Sequence, residues 1–533
     1  MRVTFKRGME YLFLGILAIT IGFMAYFNLR DIRCSLDPDF ASTIYHYMEV
    51  IKQGTLNIPN WHHTTSLELD GSMLLAVPIY FITHNLFTAV GVANLLIVIL
   101  YIATIWRLLS LYKVERIFIY VSLILVLTPY EYGMLDYFNM MFYGGACYTI
   151  KTLVPILLLL ILSLLHKGID KNNARNKSEF IFWSIVYLWL LFATAFSTGI
   201  FVVLCGILPI LIWSILEMFI QGTPKVKISV CTLWGGTFLT FLVGYLLHNK
   251  VYTAISRTNM NMTKKGEFAN NFEACVRGIY ELLGAITQES VPILSIDGIV
   301  LCVKLVLVTA FIVALFWVYF KFSSDNKNNE ICLKNYLAFI FVWNFFVMFL
   351  ADMRYPGNGH TEYRYFTIGI VPLIILFGIQ LDALSGIFNE FQKRMSYIVL
   401  LIVISIVVFG NNKNVIKEWD RSSYCVDLTN YMHTLDVESM IFLDDVDTSV
   451  LCKGIDNEHK YGAYMSDTQS MNYSICSYAD SAYGSYYGDK HVLAVIEGTS
   501  IYDCMPVEIA DQYELIGKCR WFDIYKSDIM MFP

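Results

Sequence analysis

Two acidic residues flanking a proline, Asp37-Pro38-Asp39, stand just after the first long apolar run of the chain. A carboxylate at an apolar boundary loses solvation, which raises its pKa and fits it to take a proton from a hydroxyl near neutral pH. The same pair offers oxygen ligands to a divalent cation. A structural role competes with both, because Ala41 to Lys52 follow a helical pattern and Asp39 is placed to cap that helix. The spacing does not choose between Asp37 and Asp39 as the base.

A second constellation lies far downstream. Asp352, Arg354, Tyr355, His360, Glu362, Tyr363, Arg364 and Tyr365 crowd into one short stretch between two apolar runs. Guanidinium forks match phosphate oxygens, and tyrosines suit a membrane boundary. Snorkelling of Arg354 and Arg364 to the headgroups accounts for single residues but not for their clustering with His360 and Glu362. A third acid, Asp136, sits among aromatics in Glu131 to Asn139 and reads as a supporting residue.

The elements that must hold these groups are membrane spans. Of 533 residues 56% are hydrophobic and 15% charged, with a mean hydropathy of +0.55, whereas soluble domains carry about 25% charged residues. Apolar runs near 9–28, 86–108, 114–130, 147–166, 179–197, 198–220, 228–248, 297–320, 333–351, 363–382 and 395–411 give about 11 helices. The segment 72–85, interrupted by Pro78, reads as a re-entrant or interfacial helix. Lysines and arginines alternate between loops: Arg2, Lys6 and Arg7, then Arg107, Lys113 and Arg116, then Lys167 to Lys177, and so on to Lys393 and Arg394. Basic loops stay cytoplasmic. The N-terminus is therefore expected inside, and the loops 29–71, 131–146, 249–296 and 352–362 outside.

Beyond this membrane domain, 1–411, the residues 412–533 change composition. Met440 to Asp444 and His491 to Ile496 read as buried strands, and Tyr513 to Gly517 with Trp521 to Tyr525 as a closing hairpin. The expectation is a small extracytoplasmic α/β domain. Five of the 12 cysteines fall in it, Cys504 and Cys519 close enough in sequence to pair, with free thiols as the alternative. None has zinc-ligand spacing, so no metal is expected from them. In 249–296, Phe272 to Leu283 reads as an amphipathic helix, either shaping a lipid entrance or lying on the surface. Ionisable residues are scarce within the spans, Lys151 and Lys304 lying near their edges, which argues against ion-coupled transport.

The layout resembles the GT-C class of integral-membrane glycosyltransferases, the group of protein O-mannosyltransferases and lipid-A sugar transferases. The resemblance rests on Asp37-Pro-Asp39 in the first outer loop, on Tyr45 and Tyr47, and on Gly54-Thr-Leu-Asn-Ile-Pro59. Pro78-Ile-Tyr80-Phe-Ile-Thr83-His84-Asn85 and His360-Thr-Glu-Tyr-Arg364-Tyr365 before a span holding Pro372 extend it over roughly residues 1–410. One departure is Phe40 after Asp39, where many members have a second acid.

The resemblance implies inverting transfer of a sugar from a polyprenyl-phosphate donor to an acceptor hydroxyl, on the outer face of the cell membrane. Asp39 or Asp37 would be the base. Arg354, Arg364, His360 and Tyr365 would hold the donor phosphate, with Asp136, Glu362 and Tyr45 in secondary roles. It implies no cofactor beyond the cation ligands noted at Asp37 and Asp39, and no nucleic acid. The acceptor is a glycan, lipid or protein. Two other readings stand beside it: an outer-leaflet polysaccharide polymerase or ligase, and a non-catalytic transporter of lipid-linked sugar.

Overall fold

The computed structural model describes residues 2–63, 66–131, 136–166, 174–221, 228–251, 261–287, 290–320, 333–352, 362–472 and 477–527. Among these described residues, nine helices are long and apolar enough to cross a membrane. In chain order the helices begin with α1 (Arg2–Leu29), α2 (Pro38–Gln53), α3 (Met73–Thr83), α4 (Leu86–Leu111), α5 (Arg116–Leu127) and α6 (Tyr137–Met141). Next come α7 (Thr149–His166), α8 (Ala174–Thr198), α9 (Leu208–Gln221), α10 (Ile228–Val251) and α11 (Phe268–Leu282). They continue with α12 (Ile296–Phe320), α13 (Leu333–Leu350), α14 (Thr367–Ile387) and α15 (Glu390–Lys417), then α16 (Ser423–Met432) and α17 (Val446–Ile455).

Two expected spans are shorter than the sequence suggested, and proline explains both. The stretch 114–130 forms α5, only 12 residues, because Thr128 precedes Pro129 and is held extended at ψ 130. Every residue from Ile117 to Leu127 is buried, so α5 is surrounded by protein. The stretch 198–220 divides into a π-helical turn, Val203–Ile207, and α9. Pro209 has no N–H to return to Cys205, and the turn widens just before it. The segment around Pro78 forms α3, whose Phe81 and Ile82 are exposed next to the long α4.

The alternation of charges along the chain becomes a separation in space. Lys6 meets Glu115 at 3.0 Å, Arg116 meets Glu10 at 3.3 Å, and Arg107 pairs with Glu179, all at one end of the helix array. The acidic and aromatic loops gather at the other end. There Lys304 Nζ donates to Tyr130 O at 2.7 Å and lies 3.5 Å from Glu131. The amphipathic segment forms α11, beginning at Phe268, and Asn271 Nδ2 donates to Phe349 O and Ala351 O beyond α13. This fastens α11 beside the segment that leads into α14.

The tail folds into a mixed sheet. A short strand β1 (Trp61–His62) of the first loop comes first in the chain, followed by β2 (Ser439–Leu443), β3 (Lys460–Met465), β4 (Ser470–Met471) and β5 (Ser477–Tyr478). Then come β6 (His491–Ile496), β7 (Glu514–Cys519) and β8 (Phe522–Ser527). The spatial order is β4-β3-β2-β6-β8-β7, with β2 parallel to β3 and β6 and the other pairs antiparallel. The expected central strands and closing hairpin are therefore present. Strand β5 leaves the sheet to pair antiparallel with β1, Trp61 opposite Tyr478, and so binds the tail to the first loop. Among the described residues the cysteines are free thiols, Cys504 and Cys519 included.

Candidate functional site

The first loop is positioned by local backbone chemistry. Asp37 is the N-cap of α2, its side chain accepting the Phe40 N–H at 2.9 Å, with Pro38 at the first helical position. Proline there loses no hydrogen bond and its fixed φ suits the first turn. The capping role that the sequence allotted to Asp39 thus belongs to Asp37, because the helix begins at the proline. At the far end Gly54 closes α2 in the left-handed region, φ 68, and returns its N–H to Val50 O.

Asp37 is 7% exposed and its oxygens are taken up. Besides the Phe40 amide, Asp37 accepts from Asn139 Nδ2 at 3.0 Å and stands 3.4 Å from Arg421 Nη2. Burial pushes its pKa up to about 6, against the opposing pull of Arg421. Arg421 comes from the segment just after α15. Ser422 beside it donates to Arg33 O and accepts from Leu36 N, both at 2.8 Å. Trp419 is buried against Phe27 and Tyr143. The linker to the tail is therefore part of the floor under the acid pair.

Asp39 is differently placed. Its Oδ2 lies 3.8 Å from Arg364 Nη1, and its side chain keeps 59% of its surface accessible. Its pKa is nonetheless raised, chiefly by desolvation and against the attraction of Arg364. Asp39 thus keeps accessible surface while the protein around it partly desolvates its carboxylate.

Arg364 is supplied by the turn Tyr363–Phe366 that leads into α14. Its Nε meets Glu362 Oε2 at 2.8 Å, and its guanidinium carbon stands 5.4 Å from the Tyr365 ring centre. Tyr365 packs edge-on against Tyr148 and Phe201. Thr367 and Asn344 hold the carbonyls of Arg364 and Tyr365. Tyr363 donates to Asp136 Oδ1 at 2.9 Å, and burial pushes Asp136 up to about 7. Asp136 therefore fixes the turn carrying Arg364.

The structure thus brings Asp37, Asp39, Asp136, Glu362, Arg364 and Tyr365 to one place. Tyr45 turns elsewhere: it packs on Trp61 and shares a hydroxyl hydrogen bond with Tyr486 of the tail. Arg354 and His360 lie outside the described residues.

Sequence reasoning missed a second charged group beside this one. Lys151, 4% exposed at the start of α7, lies 3.3 Å from Asp70 and 4.7 Å from the Tyr148 ring centre. Asp70 is fully buried and accepts from Ser197 at 2.9 Å and from Thr198. Glu68, held in the left-handed region at φ 56, is pushed up to about 7 by burial. Lys151, Asp70, Asp39 and Arg364 all lie within its electrostatic reach. A lysine in a span, with its counter-ion on a loop, was the available signal. The carboxylates of 66–70 carried none, because only folding sets that loop against α8.

No family model matches the sequence, and no curated protein does. Solved structures do. The chain superposes on the crystal structure of ArnT from Cupriavidus metallidurans bound to undecaprenyl phosphate, with a TM-score of 0.55 at 9% identity, covering 98% of each chain. The apo state of the same protein gives 0.53 at 9% identity, again over 98% of both. The GT-C-like fold expected from the sequence is the fold the chain has, and it is a multi-pass membrane fold.

Proposed function

We propose that this chain is a membrane glycosyltransferase that moves a sugar from a polyprenyl-phosphate donor to an acceptor hydroxyl. The carrying observation is that Asp39 of α2 and Arg364 of the turn before α14 stand side by side, 3.8 Å apart, at the end of the helix array. Asp39, the less encumbered of the two acids, takes the proton of the acceptor hydroxyl. The hydroxyl oxygen bonds to the anomeric carbon from the face opposite the lipid phosphate, whose C–O bond breaks, so the configuration inverts. Negative charge gathers on the departing phosphate, and the Arg364 fork is placed to receive it. A preorganised donor of that kind contributes about 3 kcal/mol to the transition state.

Asp37 serves as a support in this scheme, with its oxygens committed to Phe40, Asn139 and Arg421. A cation bridging Asp37 and Asp39 would have to displace those donors, so the reading includes no metal at the pair. The basic end of the array is assigned to the cytoplasm on the charge rule. On that rule the acid pair, Arg364 and the tail lie outside. The fold shared with a protein that binds undecaprenyl phosphate supports a lipid-linked donor.

The test is to incubate the purified full-length chain with polyprenyl-phosphate sugars and follow released polyprenyl phosphate together with the glycosylated acceptor. Release that depends on Asp39 supports the proposal. Binding of the lipid without turnover would make the chain a carrier, and turnover independent of Asp39 would favour a polymerase or ligase using arginines alone.

A further inference from the structure

The tail holds a second cluster of ligand-type side chains, apart from the acid pair and Arg364. His433 caps the C-terminus of α16, and Asp456 and His459 lie in the connection between α17 and β3. One ligand atom from each lies within 4.8 Å of the other two. His433 Nε2 stands 3.6 Å from Asp456 Oδ2, and His459 Nδ1 stands 2.8 Å from the same oxygen. The two imidazole rings meet edge to face with centres 4.6 Å apart. Glu458 reaches to 3.9 Å from His433 Nδ1 and is otherwise largely exposed.

We infer that His433, Asp456 and His459 form a site for a zinc-class divalent ion, with a water in the fourth position and Glu458 behind the His433 ring at Nδ1. Two imidazoles and a carboxylate are the ligand set of zinc and its transition-metal neighbours, not of calcium or magnesium, which take oxygens. Tetrahedral bonds of about 2.0–2.1 Å put ligand atoms roughly 3.4 Å apart. The His433–Asp456 spacing is already close to that, and the His459–Asp456 contact needs to open by about half an ångström. Asp456 is buried, and its carboxylate is oriented from behind: Tyr461 donates to Oδ2 at 2.6 Å and the Glu458 amide to Oδ1 at 2.8 Å. Such a supporting shell fixes a carboxylate for a metal.

The ion would join the end of α16 to the end of α17. Helix α17 presses on α2 so closely that a Cβ at Gly454 would fall 2.7 Å from the Ala41 Cα. At its other end α17 carries Asp447, whose charge is felt at Asp39. The metal thereby pins the helix against which the acid-bearing α2 rests. This inference stands whether or not the glycosyl-transfer reading holds.

The experiment uses the full chain in detergent, purified without a polyhistidine tag and stripped with a chelator. Zn2+ is then added, and bound metal is counted by elemental analysis after desalting. Co2+ is added in parallel to read its visible absorption. One zinc per chain and an intense tetrahedral cobalt spectrum are expected, with both lost in His433→Ala and His459→Ala. His433 is half-exposed, so its variant remains informative if the other misfolds. Tyr461→Phe should weaken binding by about 10-fold. No stoichiometric zinc in the parent chain, or zinc retained by the His433 variant, overturns the site.

Discussion

Arg364 Nη1 and Asp39 Oδ2 stand 3.8 Å apart, although one lies in the turn before α14 and the other sits in the first turn of α2. As a stabilising contact the pair is weak, since an ion pair with one partner well exposed is worth about 0–1 kcal/mol. Its importance is geometric. It sets an acceptor of protons and a binder of anions side by side.

Asp39→Asn should lower transfer by about 10²- to 10⁴-fold, the usual worth of a positioned base, while thermal stability stays near that of the parent. Asp37→Asn keeps a cap acceptor and should retain transfer. Asp37→Ala strands the Phe40 amide and Asn139 and should cost about 1–3 kcal/mol. Turnover assays paired with thermal unfolding separate the two acids. Equal activity loss in both asparagine variants would remove the distinction.

Arg364→Ala should reduce turnover by about 10²- to 10³-fold, and Arg364→Lys should recover little of it. A lysine ammonium is a point charge and cannot reproduce the fork that meets Glu362 on one edge and faces Asp39 on the other. Steady-state kinetics on the two variants give the comparison.

Asp136 and Glu68 titrate near pH 7 in the folded chain, both raised by burial from ordinary carboxylate values. Between about pH 4 and 7 the folded state then holds protons that the unfolded state has released. Their contribution to stability is present below pH 4, declines as pH rises, and is gone above about 7. Asp136→Asn can still accept from Tyr363 but no longer titrates. Its melting temperature should gain on the parent's as pH rises from 5 to about 8, and parallel curves would refute the assignment.

Lys151→Met should cost about 3–5 kcal/mol, because it leaves Asp70 charged and buried without its cation. Adding Asp70→Asn should return a good part of that loss. A double-mutant cycle read by thermal or denaturant unfolding measures the coupling.

Gly454→Val places a branched side chain where only a bare Cα fits beside Ala41. Overpacking of this kind costs about 1–3 kcal/mol. Because α17 packs directly on the acid-bearing α2, the expected result is a lower melting temperature and a lower kcat with little change in KM.

Much of the architecture was legible because it follows from periodicity and charge. Apolar runs gave the spans, basic loops gave their alternation, and Met440 to Asp444 read as a buried strand because no polar side chain interrupts it until its end. Helix lengths failed where a proline cut an apolar run, as at Pro129 and Pro209. In the site, Asp39 and Arg364 were visible as charged residues at the ends of apolar runs. The cap went to the wrong acid because a proline at the first helical position shifts the start by two residues. Glu68, Asp70 and Arg421 were invisible, since each matters only through a neighbour distant in sequence. Their partners include Lys151, Ser197 and Asp37.

The pairing of Asp37 with Arg421, 384 positions later, also bears on how the protein is made. A nascent chain threads its helices into the bilayer in order, so Asp37 in the first loop waits until the last span has been made before Arg421 can reach it. A product released by the ribosome before Arg421 would already cross the membrane many times, yet its acid loop would lack the floor that the linker lays beneath it. The Asp37 side of the centre is thereby the last part to be completed, after Arg364 and Tyr363 have met Asp39 and Asp136.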